Sequence, residues 1–236
     1  MSEPSYGFWV GSHCIEIVRR VGGLEHSVPI SLSRFTQMLN PQQEGGYDRL
    51  PPGTRYVAES SAKRTVKLLI EFPPAKRLIK VQHDYSVRGG IKCDVAGVAL
   101  PGGVFVFDLM KSGDTYTING SRLFGVAKTI ADTTDRLYRF PLPNLGHGDA
   151  RICWGGNSVH YAYAGLAAIE GAAKVYFESN FNDHWFYKDS VSAAFDWEGQ
   201  DVRAVELFFQ KLAKLDRFPP EWLQPMGYTI ADVIRS

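Results

Sequence analysis

Tyr138-Arg139-Phe140-Pro141-Leu142-Pro143-Asn144-Leu145 runs into Gly146-His147-Gly148-Asp149-Ala150-Arg151 and on to Ile152-Cys153-Trp154-Gly155-Gly156, the densest punctuation by proline and glycine in the chain. Pro141 and Pro143 restrict the backbone around Asn144, and the glycines permit tight or left-handed geometry on both sides of Cys153. Such a loop can hold an amide and a thiol in a fixed relation. A free cysteine, with a pKa of about 8.5, is only a few per cent thiolate near neutrality, yet that fraction is a strong nucleophile. The Asn144 amide would then donate to the oxyanion formed as an amine attacks a thioester at Cys153, a contact worth about 3 kcal/mol. Asp149 or His147 would orient or deprotonate that amine. The competing reading of Cys153 is a structural thiol, because free cysteine is commonly buried.

Upstream, Val57, the run Thr65-Val66-Lys67-Leu68-Leu69-Ile70, Leu78 to Val81, Val95 to Leu100, Val104 to Leu109, Thr115 to Ile118 and Leu123 to Val126 are strand candidates. Pro73 and Pro74 end the second of them, since proline offers no ladder donor. The turns Pro101-Gly102-Gly103 and Lys111-Ser112-Gly113-Asp114 are too short for crossover helices, so the sheet should be an antiparallel meander. Phe8 to Val18 and Val28 to Leu39 suggest a strand, a turn at Arg19 to Gly23, and a strand or short helix. Asn40 to Arg55, with its prolines and glycines, is a loop marking the edge of an N-terminal extension. Downstream, Tyr161 to Glu178 suggests a helix in which Gly165 and Gly171 are tolerated for close packing. Val202 to Leu215 is a second helix, lined by Val205, Phe208, Phe209, Leu212 and Leu215 and capped by Asp201. A short helical turn is expected between Glu221 and Ser236.

The 236 residues carry 26 Lys plus Arg against 25 Asp plus Glu, with 44 % hydrophobic and 22 % charged residues, which supports a sizeable core and excludes a strongly basic protein. Cys14, Cys93 and Cys153 cannot all pair within the chain, so a reducing compartment is expected. No secretory leader is evident, and no segment approaches the roughly 20 apolar residues that a bilayer crossing needs. The expected setting is cytoplasmic, away from membranes. Ser60 to Lys92 holds eight Lys or Arg and two acids, a charged face suited to solvent or to an acidic protein partner. Nucleic acid is not the expected partner, because aromatic residues do not interleave the basic ones. No phosphate-binding or dinucleotide-binding glycine motif occurs. His147, Cys153 and His160 are spaced too loosely for zinc, so neither metal nor cofactor is expected.

The succession Thr134, Leu137-Tyr138, Phe140-Pro141, Pro143-Asn144-Leu145, Gly148 and Ile152-Cys153-Trp154-Gly155 resembles the central signature of the prokaryotic E2-like proteins called PRTRC system protein B, family D of the prokaryotic E2-like group. Tyr176-Phe177-Glu178-Ser179-Asn180-Phe181-Asn182-Asp183-His184 resembles that family's aromatic-Ser-x-Phe segment preceding a His. The resemblance implies an α+β fold: a ubiquitin-conjugating-enzyme-like antiparallel meander with flanking helices, here over residues 56–236, with residues 1–55 as a β-rich extension packed on it. It implies that Pro143-Asn144 match the Pro-Asn of a His-Pro-Asn motif, with Leu142 standing where His would be expected. Asn144 would be the oxyanion donor, Cys153 the cysteine receiving the C-terminus of a ubiquitin-like protein from an E1-like activating enzyme, and His184 an acid-base or positioning residue. The implied setting is a plasmid or mobile-element conjugation system in which ATP is used by the activating enzyme. A noncatalytic protein-interaction module on the same fold is the alternative.

Overall fold

The computed structural model describes residues 5–10, 15–21, 24–30, 50–60, 62–82, 92–183, 185–197, 199 and 204–236. Its strands in chain order are β1 (Ser5–Val10), β2 (Ile15–Val21), β3 (Leu24–Ile30), β4 (Thr54–Ser60), β5 (Thr65–Phe72), β6 (Ala75–Gln82), β7 (Lys92–Leu100), β8 (Gly102–Ser112), β9 (Thr115–Val126), β10 (Arg136–Arg139), β11 (Tyr163–Ala164), β12 (Asn180–Phe181) and β13 (Pro225–Thr229). The helices are α1 (Glu170–Glu178), α2 (Val205–Ala213) and α3 (Ile230–Arg235).

The large sheet runs β3-β2-β1-β4-β5-β8-β9-β10-β13, with β11 also on β9, and every pair in it is antiparallel. This is the expected α+β architecture, with the adjacent strands β4, β5, β8 and β9 as its meander. Pro73 and Pro74 redirect the chain, so β6 and β7 leave the meander and form a second sheet, ordered β12-β6-β7. There β12 pairs with β6 in parallel, which an antiparallel meander alone did not anticipate.

The central strands are apolar without alternation because both of their faces are covered. Leu68, Ile70, Phe105 and Phe107 enter the larger core, while Leu69, Val104 and Val106 enter a second core closed by Ile230, Val233 and Ile234 of α3. Phe105 lies at the centre of an aromatic cluster, with Phe72, Tyr176 and Phe177 at centroid separations of 5.4, 6.1 and 5.7 Å. Tilted and edge-to-face pairs of this kind add about 0.5–1.5 kcal/mol each beyond the area they bury.

Several boundaries differ from the sequence reading. The two candidate strands Thr115 to Ile118 and Leu123 to Val126 are one strand, β9, and the register shift opposite Asp108 and Leu109 leaves Asn119 as its bulged residue. The first helix does not span Tyr161 to Glu178. Tyr163 and Ala164 pair with β9, Gly165 turns the chain at φ 93°, and a 3-10 turn over Leu166–Ile169 leads into α1. Close packing does not explain Gly171, because an added Cβ would meet nothing within 4 Å. The second helix is shorter than expected, starts after Ala204 and has no side-chain cap; Asp201 lies outside the described residues. The C-terminal turn is α3, whose Thr229 and Asp232 form a reciprocal capping box. Gly22, Gly23 and the stretch 31–49 lie outside the described residues.

Gly103 marks the tightest approach in the sheet. A Cβ there would stand 2.5 Å from the Phe72 ring, 2.8 Å from the Phe124 carbonyl oxygen and 3.0 Å from the Phe140 ring. Gly103→Ala should therefore cost about 1–3 kcal/mol through overpacking. Chemical denaturation should show it as a lower midpoint with an unchanged slope.

Candidate active site

The stretch from Asn144 to Cys153 folds as a small hairpin. The Cys153 N–H donates to the Asn144 carbonyl at 2.8 Å, Leu145 and Ile152 form an antiparallel bridge, and the Gly146 N–H donates to the Arg151 carbonyl at 2.8 Å. Its returning limb is laid on β9: the Ile152 N–H donates to the Ser121 carbonyl and the Leu123 N–H to the Ala150 carbonyl, both at 3.0 Å. Asn144 and Cys153, nine positions apart in sequence, thus sit opposite each other on a platform built by the sheet.

Buried groups hold the platform. Leu142 and Leu145 are fully buried. Leu at position 142 is a core residue, where an imidazole would need a buried polar partner. The Tyr176 hydroxyl donates to the Pro143 carbonyl at 3.0 Å, and Trp154 Nε1 donates to Ser121 Oγ at 2.9 Å. Burial pushes the Tyr176 phenol well above its usual range, with Arg139 opposing and Cys153 adding to the shift, so it remains a donor. Trp154 is a core side chain of the platform. The buried Arg139 donates to the carbonyls of His147 at 2.6 Å, Leu145 at 3.3 Å and Trp185 at 3.1 Å, while its Nε has no partner. Burial lowers its pKa and Asp189 opposes the shift; the guanidinium stays cationic throughout the ordinary pH range.

Cys153 is half-buried and lines an open cleft of about 340 Å³. The hairpin contributes Asn144, Cys153 and Trp154, the turn after it Gly155, Gly156 and Asn157, and the ends of β6 and β12 Gln82, Asn180 and Asn182. The Asn144 carboxamide donates to the Asn180 carbonyl at 3.5 Å, and the Asn180 carboxamide donates to Gln82 Oε1 at 2.8 Å. Five carboxamides and a thiol therefore converge on one opening. Gln82, Asn157, Asn180 and Asn182 were not anticipated. Asn180 and Asn182 flank the buried Phe181, an alternation that could have indicated them, whereas nothing in the spacing connects Gln82 to this loop.

The other expected site residues are placed elsewhere. His147 and Asp149 occupy the hairpin tip and do not line the cleft around Cys153. His147 Nε2 contacts the Asp189 carboxylate, and Tyr187 presents its ring edge at 5.5 Å. Asp149 accepts from the Arg151 N–H at 3.0 Å and faces Arg151 Nε at 3.5 Å. His184 lies outside the described residues, as does Cys14. His160 donates through Nδ1 to the Ile118 carbonyl at 3.0 Å. Among the described residues, no three His, Cys, Asp or Glu side chains gather into a metal-binding group, and no helix is long and apolar enough to cross a membrane.

Two measurements follow from this geometry. Asn144 has φ 62°, where Asn and Gly are tolerated and a β-branched residue is not. Asn144→Gly should leave the folding midpoint nearly unchanged, and Asn144→Val should cost about 1–3 kcal/mol, as denaturant titration would record. The second concerns Cys93, a half-buried free thiol whose pKa is pushed up by burial, then by Glu206 and Asp94. Its thiolate should be scarce at neutral pH, and its alkylation by iodoacetamide, followed by peptide mass mapping, should accelerate only in alkaline solution.

The model of the family Prokaryotic E2 family D matches residues 53–226, from the turn before β4 into β13, a span that includes the whole hairpin and the cleft around Cys153. Searches of curated proteins and of solved structures return no match. With about three quarters of its length matched, the chain belongs to Prokaryotic E2 family D, and the antiparallel strands and flanking helices of the matched span are consistent with the α+β fold of that E2-like family.

Proposed function

We propose that this protein is an acyl carrier of a prokaryotic ubiquitin-like conjugation system. The observation that carries the reading is the pairing of Asn144 with Cys153 across the hairpin, with both residues opening into one cleft. The Cys153 thiolate attacks the thioester carbonyl by which an E1-like activating enzyme holds the C-terminus of a ubiquitin-like protein. The new C–S bond forms as the enzyme's thiol leaves, so the acyl group is transferred without change in oxidation state. In the second step a neutral amine attacks the same carbonyl carbon, the Cys153 thiolate departs, and the amine loses its proton to a base or to water.

Asn144 is assigned the oxyanion, through its carboxamide N–H. Its bond to the Asn180 carbonyl is long and at the rim of the cleft, so a stronger acceptor such as a developing oxyanion would compete for the same donor. His147 and Asp149, carried at the hairpin tip, are assigned to the incoming acceptor rather than to the thioester. ATP is consumed by the activating enzyme, upstream of this chain.

Reconstitution with an activating enzyme and ubiquitin-like protein encoded beside this chain should give a thiol-labile adduct on nonreducing gels, with the matching intact mass. Cys153→Ala should abolish the adduct and Cys153→Ser should convert it to a thiol-resistant ester. Asn144→Asp should still charge but discharge to amine about 100-fold more slowly, the loss expected of a missing oxyanion donor. Absence of any adduct with all components present would overturn the carrier reading in favour of a noncatalytic interaction module.

A further inference from the structure

The basic stretch from Ser60 to Lys92 divides in the folded chain. Lys67 turns to the large sheet, where it bonds the Val233 and Ser236 carbonyl oxygens and Asp108. Arg77 is half-buried, with its guanidinium 4.0 Å from the Phe177 ring centroid. Lys76, Lys80 and Lys92 instead share the outer face of the β12-β6-β7 sheet. Along β6 the inward residues Ile79 and Val81 are fully buried, while Lys76, Leu78 and Gln82 are exposed and Lys80 is half-exposed. The register sets Lys80 between Asn180 of β12 and Asp94 of β7, and Gln82 beside Lys92.

Leu78 is 49 % exposed in the middle of this row, among the most exposed large apolar side chains of the described residues. Lys76 reaches the fully exposed Asp216, at 3.8 Å. Three lysines against Asp94 and Asp216 leave the face with a net positive charge around one apolar contact. The row does not end on open surface: Gln82 and Asn180, at its end, also line the Cys153 cleft, and Leu78 lies about 13 Å from Gln82 at the rise of a strand.

We propose that the outer face of this small sheet, Leu78 framed by Lys76, Lys80 and Lys92, docks an acidic surface with an apolar centre on the ubiquitin-like acyl donor and leads its C-terminus to Cys153. The proposal rests on the acyl-carrier reading for the donor's identity. The preference for an acidic partner rests on the charge of the face alone. Complementary charge accelerates encounter and fixes register, and a buried apolar contact slows release.

The test uses the full chain carrying Cys153→Ala, and as probe a synthetic peptide alternating Asp and Leu. In an NMR titration, amide shifts should concentrate on residues 76–82, 92–96 and 180. Lys76→Glu with Lys80→Glu should weaken binding at least tenfold, and a peptide with Lys in place of Asp should restore it. Lys63→Glu with Arg64→Glu, at the β4–β5 turn, should change nothing. Shifts centred elsewhere, no binding at millimolar peptide, or equal affinity in the Lys76/Lys80 variant would overturn the docking face. In the reconstituted charging reaction, the same Lys76/Lys80 variant should raise the half-saturating donor concentration at least tenfold with the maximal rate and thermal midpoint unchanged. A reduced maximal rate at unchanged half-saturation would also overturn it. If wild-type protein takes no acyl group, the carrier reading fails, and the peptide titration still decides the face.

Discussion

The Arg139 guanidinium joins three parts of the molecule that sequence keeps apart. Its backbone belongs to β10, where it pairs with Phe124 and donates to the Gln224 carbonyl at 2.8 Å; its side chain grips the hairpin at Leu145 and His147 and the later segment at Trp185. The Leu145 carbonyl it satisfies is buried and would cost about 1–3 kcal/mol if left unpaired, while the part-buried bonds to His147 and Trp185 add to the grip. The hairpin therefore has one low-energy seat. A thiol on a loose loop could not keep a constant relation to an amide, and catalysis by differential binding depends on that relation being set before the charge develops.

What the hairpin faces is of one chemical kind. Gln82, Asn144, Asn157, Asn180 and Asn182 each carry both a donor and an acceptor. Carboxamides of this sort match the alternating N–H and C=O groups of an extended peptide without demanding a charge on it. The glycines at 155 and 156 leave room beside the thiol.

Much of this was legible in the sequence where local chemistry dictates structure. The β5 and β8 runs, the turn at Gly113, the prolines that end β5 and the apolar stripe of α2 are recognisable from neighbouring residues alone. The loop around Asn144 and Cys153 was legible for the same reason, since proline and glycine act within a residue or two. The failures have a common cause. The late start of α1 and the two-residue strands depend on partners far along the chain, such as the pairing of Tyr163 with Tyr116, and the bulge at Asn119 depends on the register that β9 takes against β8. The residues that support the site escaped for that reason as well: Gln82 meets Asn180 across nearly a hundred residues, and the burial of Arg139 is decided by what packs around it. Position 142 shows the reverse case, in which a departure from the resembled motif is explained only once the side chain is seen inside the core.

The parallel pairing of Asn180 with Lys80 and of Phe181 with Val81 is the most distant strand contact in the described fold. Hairpins such as β8–β9 close short loops and gain their contacts early, whereas joining β12 to β6 waits on a far larger loss of chain freedom. The cleft wall at Gln82 and Asn180 thus depends on a contact that local chain closure does not supply. Without that pairing the Cys153 hairpin would lack the wall that Gln82 and Asn180 supply, so the frame around the thiol is only as secure as two residues of parallel strand.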